Sequence, residues 1–581
     1  MNNDQAPEYI ERNIKNKKWS GLWKTKDYWP VWIGFSLIMF TLLMNTSSLQ
    51  DEIIEEISWA NATMEAEQEK APFKTVGWYE AFESKAAVMT SDKGRERFLK
   101  KMTATPHQWE KNLWTAFYQS KFEAYTKNQQ ALESYQEEKK KSAIALSYAL
   151  HAEKRAALAE FSNPALNKAA QERIKEWRNT HLRERAAQKR TENKPYNIFF
   201  TLTGLMIFIS LFFLAAQQKT GKSLIAFFVG FAGIFFLAVI AYLLAAQSSM
   251  YHYGISYPAW GIIVGLLISN TIGTPEWIKP ALQVELYIKT GLVLLGAEIL
   301  LNKVVAIGIP GVFVAWGGTL IVLVTTFWFG QRVLKMESTT LNIVISADMS
   351  VCGTSAAIAT AAACKAKKEE LTFAIGLSLV FTSVMMVLMP IFIEAIHMNE
   401  VLAGAWLGGT IDATGAVAAA GALVSERTMY VAATIKMIQN ILIGVVAFCV
   451  AIYWSIEVEK NSPRKISIME IWWGFPKFVI GFIAASLIFS LLYVLLGHDA
   501  GYVIVEQGII HDGTKLFRGW FFCLSFVSIG LEYNFREMKK YFKNGKPLLL
   551  YLFGQSLQLI LSLLMAYLAF FIIFPDITKA I

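Results

Sequence analysis

Two stretches decide how this 581-residue chain is read. The first is Ser346-Ala-Asp-Met-Ser-Val-Cys-Gly-Thr-Ser-Ala-Ala-Ile-Ala-Thr-Ala-Ala-Ala363 and the second is Gly408-Gly-Thr-Ile-Asp-Ala-Thr-Gly-Ala-Val-Ala-Ala-Ala-Gly421. Each opens with a polar, Gly-containing entry that holds an aspartate, then runs into Ala-rich sequence able to form a helix. Both lie within apolar sequence. Lipid offers no water to freed backbone N–H and C=O groups, so a break there must be satisfied by protein or a water-filled cavity. Paired interrupted segments in the two halves of a carrier mark its binding site, because half-helix N-termini present unpaired N–H groups and partial positive charge to an anion. Close packing through small residues is the plainer account, but an aspartate in each segment exceeds what packing needs.

The rest of the chain supports a membrane setting. Hydrophobic residues make up 54% and charged ones 17%, with a mean hydropathy of +0.36. That is too few charges for water-facing domains, and it excludes disorder and a disulfide scaffold. Cys352, Cys364, Cys449 and Cys523 all sit in apolar sequence, without metal spacing. The net charge of +9 comes with no nucleic-acid recognition motif, so no nucleic-acid partner is expected.

Composition divides the chain into a cytoplasmic tail 1–28, an anchor helix 29–49, a polar helical block 50–195, an additional span 196–221 and a core 222–575. Ten spans are expected, at 197–217, 222–248, 257–271, 284–301, 304–331, 370–397, 428–456, 469–496, 516–534 and 547–575. Lys279, Arg332, Lys335, Lys460, Arg464, Arg536 and Lys546 fall on one side of this arrangement, and Lys303, Arg427 and Lys515 on the other. The positive-inside rule therefore puts the N-terminus in the cytoplasm and block 50–195 outside it. That block is rich in Glu, Lys, Gln and Ala, and its periodicity predicts long helices forming a hairpin broken near Asn163-Pro164. It is expected to act as a partner-binding or homo-oligomerisation module, or as a self-packed spacer. Stretches 340–364 and 402–424 either cross the membrane or turn back; Lys365, Lys367 and Lys368 after the first would land outside if it crossed, so charge mildly favours hairpins entering from opposite faces.

A second internal echo suggests duplication. Gly296-Ala-Glu298 and Gly530-Leu-Glu532 close similar apolar runs that run in opposite directions on this topology, as an inverted repeat requires.

At these residues the chain resembles the sulfate exporter family of YeiH-type bacterial membrane proteins, over about residues 222–575. The family's S-I-C-G-A-[SA]-A run is matched by Ser350-Val-Cys-Gly-Thr-Ser-Ala356, its G-[ST]-x-H-E-V-A-Q run by Gly409-Thr-Ile-Asp-Ala-Thr-Gly-Ala416, and its K-x-x-R pair by Lys436-Met-Ile-Gln439. Residues 1–221 have no counterpart in compact members. The resemblance implies a bacterial inner-membrane secondary transporter, with sulfate the substrate the family name carries. This chain departs from the pattern by losing cationic groups and gaining carboxylates. Asp412 and Ala413 stand for His-Glu, Gln439 for Arg, Glu298 for Arg and Asp348 for Gly.

A carboxylate near the bilayer centre costs a few kcal/mol, so it should be paired, protonated or facing water. The expectation is an all-α integral membrane protein with an inverted-repeat transporter core, two interrupted helices and an extramembrane helical domain. Ser350, Gly353, Thr354, Ser355, Thr410, Thr414, Gly415, Lys436 and Gln439 are expected to bind a small anion such as sulfate or a sulfonate. Asp348, Asp412, Glu298 and Glu532 are expected to carry coupling to Na+ or H+, with no other metal and no cofactor. Glu285 and Lys289 read as an i, i+4 helix pair. No enzymatic nucleophile–base pair is visible. The alternative function is a sensor or assembly subunit built on a transporter-like core.

Overall fold

The computed structural model of the protein describes residues 28–45, 51–90, 96–218, 223–252, 256–299, 301–454, 475–535 and 545–580. The tail up to residue 27, the end of the expected anchor and the basic loops 219–222, 455–474 and 536–544 lie outside the described residues. Among the described residues the chain is helical apart from two short antiparallel strands, Tyr118–Gln119 and Tyr196–Asn197. Among the described residues, eight helical segments are long and apolar enough to cross a membrane by length and composition, and one of them, Thr339–Cys364, is the first interrupted stretch. The protein is an all-α membrane protein.

Two compact units divide it: residues 40–205 with 491–513, and residues 1–39 with 206–490 and 514–581. In the first, helix Lys121–Leu158 starts at a capping box in which Ser120 and Glu123 satisfy each other's free N–H groups. It turns through Glu160 and Phe161, both at positive φ, into helix Pro164–Arg190, capped by the Asn163 side chain with proline at its first position. Val76, Ala145, Ala149, Ile174 and Trp177 form the apolar centre. Glu83 is buried beside it, paired with Arg178, with His181 Nε2 at 2.7 Å and with Arg185 at 3.4 Å. Composition placed this domain at 50–195. Residues 491–513 also belong to the unit, and Asp512 pairs with Lys100 at 2.9 Å.

The second unit contains both interrupted segments, and both turn back. Helix Thr339–Ala347 continues as a π-helical turn, Asp348–Cys352, and breaks at Cys352–Gly353. There Cys352 has φ −160° and ψ 62°, and Gly353 has φ 35°. The chain restarts as helix Gly353–Cys364. Unbroken, these 26 residues would extend roughly 39 Å. Instead their two ends meet: Ser338 Oγ and Thr340 Oγ1 both donate to Glu370, the latter at 2.7 Å, just past the segment's far end. The second segment repeats the device. Helix Glu400–Thr410 gives way to extended Ile411 and Ala413, then helix Thr414–Val424. Its ends meet where Thr428 Oγ1 donates to the Glu400 carbonyl at 3.2 Å.

Helix Lys368–Ala395 joins the two hairpin bases. Its 28 residues span roughly 42 Å, so the hairpins enter from opposite ends of the bundle. Their tips converge beside the middle of that helix, at Ser378. The echoed runs form helices Val284–Glu298 and Lys515–Glu532, each ending in an extended residue, Ile299 and Tyr533. These two helices are antiparallel, since Glu298 at the end of one bonds Arg518 near the start of the other.

Candidate functional site

The hairpin tips are held by long-range polar contacts. A cavity of about 640 Å³ ends on them, lined at its floor by Thr354, Ser355, Ala413 and Gly415. Exposed Lys279 and Glu532 edge its mouth, and Glu285 and Lys289, paired at 2.7 Å, line its wall. Glu298, at the other end of the Glu285 helix, bonds Arg518, which also bonds Glu426 at the base of hairpin two. The cavity mouth therefore lies at the opposite end of the bundle, the end where hairpin one is based. A smaller space of about 30 Å³ adjoins the tips at Cys352, Thr414 and Asn440, room for one water-sized body.

The floor is where helices Gly353–Cys364 and Thr414–Val424 begin. Neither has a side-chain cap at its start, so first-turn N–H groups are available and the positive dipole ends face the same space. Gly353 is demanded by its position. Its φ of 35° belongs to backbone that side chains rarely adopt, and a Cβ there would stand 3.1 Å from Ser378 Oγ and 3.6 Å from Asp412 Cβ.

Behind the floor, Lys436 Nζ donates to the Val351 carbonyl at 2.8 Å and to Gln439 Oε1 at 2.7 Å. Gln439 Nε2 in turn donates to the Ser350 carbonyl at 2.9 Å and to Thr319 Oγ1 at 2.8 Å. Asn440 Nδ2 donates to Thr414 Oγ1 at 3.1 Å. Helix Glu426–Asn440 thus satisfies carbonyls that the break in hairpin one sets free, which is what lets a broken helix exist away from water. Both aspartates are buried here. Asp412 accepts from Tyr551 OH and from Ser378 Oγ at 3.5 Å. Neither Asp348 oxygen has a hydrogen bond of acceptable geometry, although Ser378, Asp412 and Lys436 all stand close enough to interact with it.

The expected site residues therefore separate into groups. Thr354, Ser355 and Gly415 line the large cavity, Gly353 forms the tip, and Thr414 lines the small space. Lys436 and Gln439, expected to bind solute, brace the tip. Ser350 Oγ donates to the Ser346 carbonyl of its own helix at 2.7 Å, and Thr410 is buried beside Gln555. Glu532 edges the cavity. Glu298, expected to couple ions, lies in a buried network with Arg518 at 2.7 Å and Tyr430 at 3.2 Å. Its charge is matched by a guanidinium, the arrangement of a structural pair. Sequence reasoning passed over Ser378 and Tyr551, which carry no local signal, and Arg518, whose charge inside the expected span 516–534 was one. It also passed over Gln555 and Gln558, whose amides in an otherwise apolar span were a readable one.

Fold and site define a transporter-like integral membrane protein with paired re-entrant hairpins. A family model described as "Conserved hypothetical protein 698" matches residues 229–551. A UPF0324 membrane protein of Nitratidesulfovibrio vulgaris (Hildenborough) is 52% identical over 562 residues, covering 97% of both chains. A second from the same organism is 53% identical over 564 residues with the same coverage. One from Rhodopirellula baltica is 57% identical over 376 residues, 64% of this chain and 69% of that one. No solved structure matches. The chain belongs to the UPF0324 membrane protein family, which is the YeiH-type family. The first two relatives match along nearly the whole chain, so the segment before the core, without counterpart in compact members, is shared with them.

Proposed function

We propose that the protein is a secondary active carrier of a small anion, coupled to Na+ or H+ and working by alternating access. The observation that supports this most is the cavity ending on two uncapped helix N-termini, one from each hairpin. Such ends favour anions because their N–H groups and dipoles point at the ligand. The family resemblance supports an oxyanion such as sulfate or a sulfonate, moved outward. With the charge-based orientation, the N-terminus lies in the cytoplasm of a bacterial cell and the cavity opens to the cytoplasm. The network of Glu298, Arg518, Glu426 and Lys515, buried at the Glu298 and Arg518 side chains and exposed at those of Glu426 and Lys515, then lies toward the far face.

Asp348 and Asp412 are the coupling groups in this reading. They share a water-poor space with one ammonium, so one further positive charge, a bound cation or a proton on one of the two carboxylates, must balance the pair, and its arrival alters the tips that form the anion site. Replacing Asp412 with Asn removes that dependence. In proteoliposomes loaded with labelled sulfate or a small sulfonate, the D412N protein is expected to lose at least tenfold of its gradient-driven flux while remaining monodisperse. Unchanged coupled flux would remove Asp412 from the mechanism.

A further inference from the structure

Among the described residues, several buried oxygen atoms around the hairpin tips have no hydrogen-bond partner, and five of them concern one cluster: both carboxylate oxygens of Asp348, Thr382 Oγ1, Thr410 Oγ1 and Gln555 Oε1. Their residues are 0%, 0%, 1% and 3% exposed. Such orphans are rare in folded proteins, and each calls for an explanation. These share one neighbourhood. Ser378 bonds Asp412, and Thr382 lies one helical turn beyond it. Tyr551 bonds the same carboxylate, and Gln555 lies one turn beyond it. Gln555 Nε2 donates to the Thr410 carbonyl at 3.3 Å, which brings its amide to the residue two before Asp412.

We infer that this cluster is a binding site for an alkali metal cation, assembled from both hairpins and the two helices that carry Thr382 and Gln555. The inference names the coupling ion of the carrier reading and rests on that reading for its role in transport, though occupancy itself needs no transport. Charge and ligand count carry it together. Asp348 and Asp412 against Lys436 leave one negative charge, which a single monovalent cation neutralises. A proton would neutralise it too, but a protonated carboxyl gains one donor and can engage one acceptor, leaving most of the orphaned oxygens unmet. A hard cation instead takes several oxygens at once, from carboxylates and from neutral hydroxyl and amide groups. The pairing of unwound helix segments with a coupling cation follows the same physics. An ion held between Asp348 on one hairpin and Thr410 on the other would also tie the tips together and so shape the anion floor.

The test uses the purified full-length protein and Na+ alone. Thermal midpoints are measured across a NaCl series, with choline chloride holding ionic strength constant, because a ligand that binds only the folded state raises the midpoint with concentration. The expected result is a saturable rise of several degrees in Na+ that choline does not reproduce. T410V should need at least tenfold more Na+ for half the rise, and D348N should lose the rise. If D348N does not fold, T410V carries the comparison, since it removes one neutral oxygen at nearly constant volume. Equal midpoints in Na+ and choline, or a T410V response matching the unsubstituted protein, would overturn the inference. Absence of a Na+ response in a protein that still moves sulfate counts against the cation site alone. An intact Na+ response without any anion flux supports the site and counts against the carrier reading.

Discussion

K436M is expected to lose about 3–5 kcal/mol of stability, the usual consequence of removing one partner from a buried charged cluster. Lys436 is 1% exposed and donates to Val351 and Gln439. Its loss strands the Val351 carbonyl and leaves Asp348 and Asp412 with no compensating ammonium. Methionine keeps most of the volume, so the loss reports charge and hydrogen bonding rather than a cavity. Thermal unfolding of the purified variant measures it. The compensated variant K436M/D412N should regain a substantial part of the stability, because one carboxylate and the missing cation leave together. If K436M unfolds like the unsubstituted protein, Lys436 does not hold the tip.

G353A is the second large effect. Gly353 combines a positive φ with crowding by Ser378 and Asp412, and forcing a side chain into such backbone costs on the order of 1–3 kcal/mol before any clash is counted. Ser378 would have to move, and with it a hydrogen bond to Asp412. Flux of the anion should fall at least tenfold, with a midpoint several degrees lower. Gly273 is the contrast: it too has positive φ, 81°, but nothing stands within 4 Å of its missing Cβ. G273A should carry the same backbone strain, on the order of 1–3 kcal/mol, without the tip clash, and leave flux unchanged. Equal flux losses in the two variants would mean that backbone strain, not the tip contact, explains G353A.

Much of this arrangement was legible in the sequence. The two Gly-, Ser- and Thr-rich stretches announced interrupted helices because each carries an aspartate that close packing does not need, and the breaks fall at Gly353 and at Ile411–Ala413. Lys436 was readable as a lysine too deep to reach water. Its bond partner was not, because a backbone carbonyl at Val351 carries no sequence mark. The choice between crossing and turning back left only a faint mark, the lysines at 365, 367 and 368. It depends on Glu370 reaching Ser338 and Thr340, and on Thr428 reaching the Glu400 carbonyl. Those contacts join residues some thirty positions apart and leave no periodic pattern. Glu298 looked like a residue near a span end, free to reach for water; its partner Arg518 is 220 residues away. Residues 491–513 joined the first unit for the same reason, through a contact such as Lys100 with Asp512 that composition cannot foresee.

The convergence of two re-entrant hairpins is most directly tested by labelling single cysteines with a membrane-impermeant maleimide from each face of sealed, oriented membranes. Lys335 and Lys365 flank hairpin one, while Glu400 and Arg427 flank hairpin two. The account predicts that K335C and K365C react from one face and that E400C and R427C both react from the other. Reaction of K335C and K365C from opposite faces would show the first segment crossing the bilayer and contradict the account.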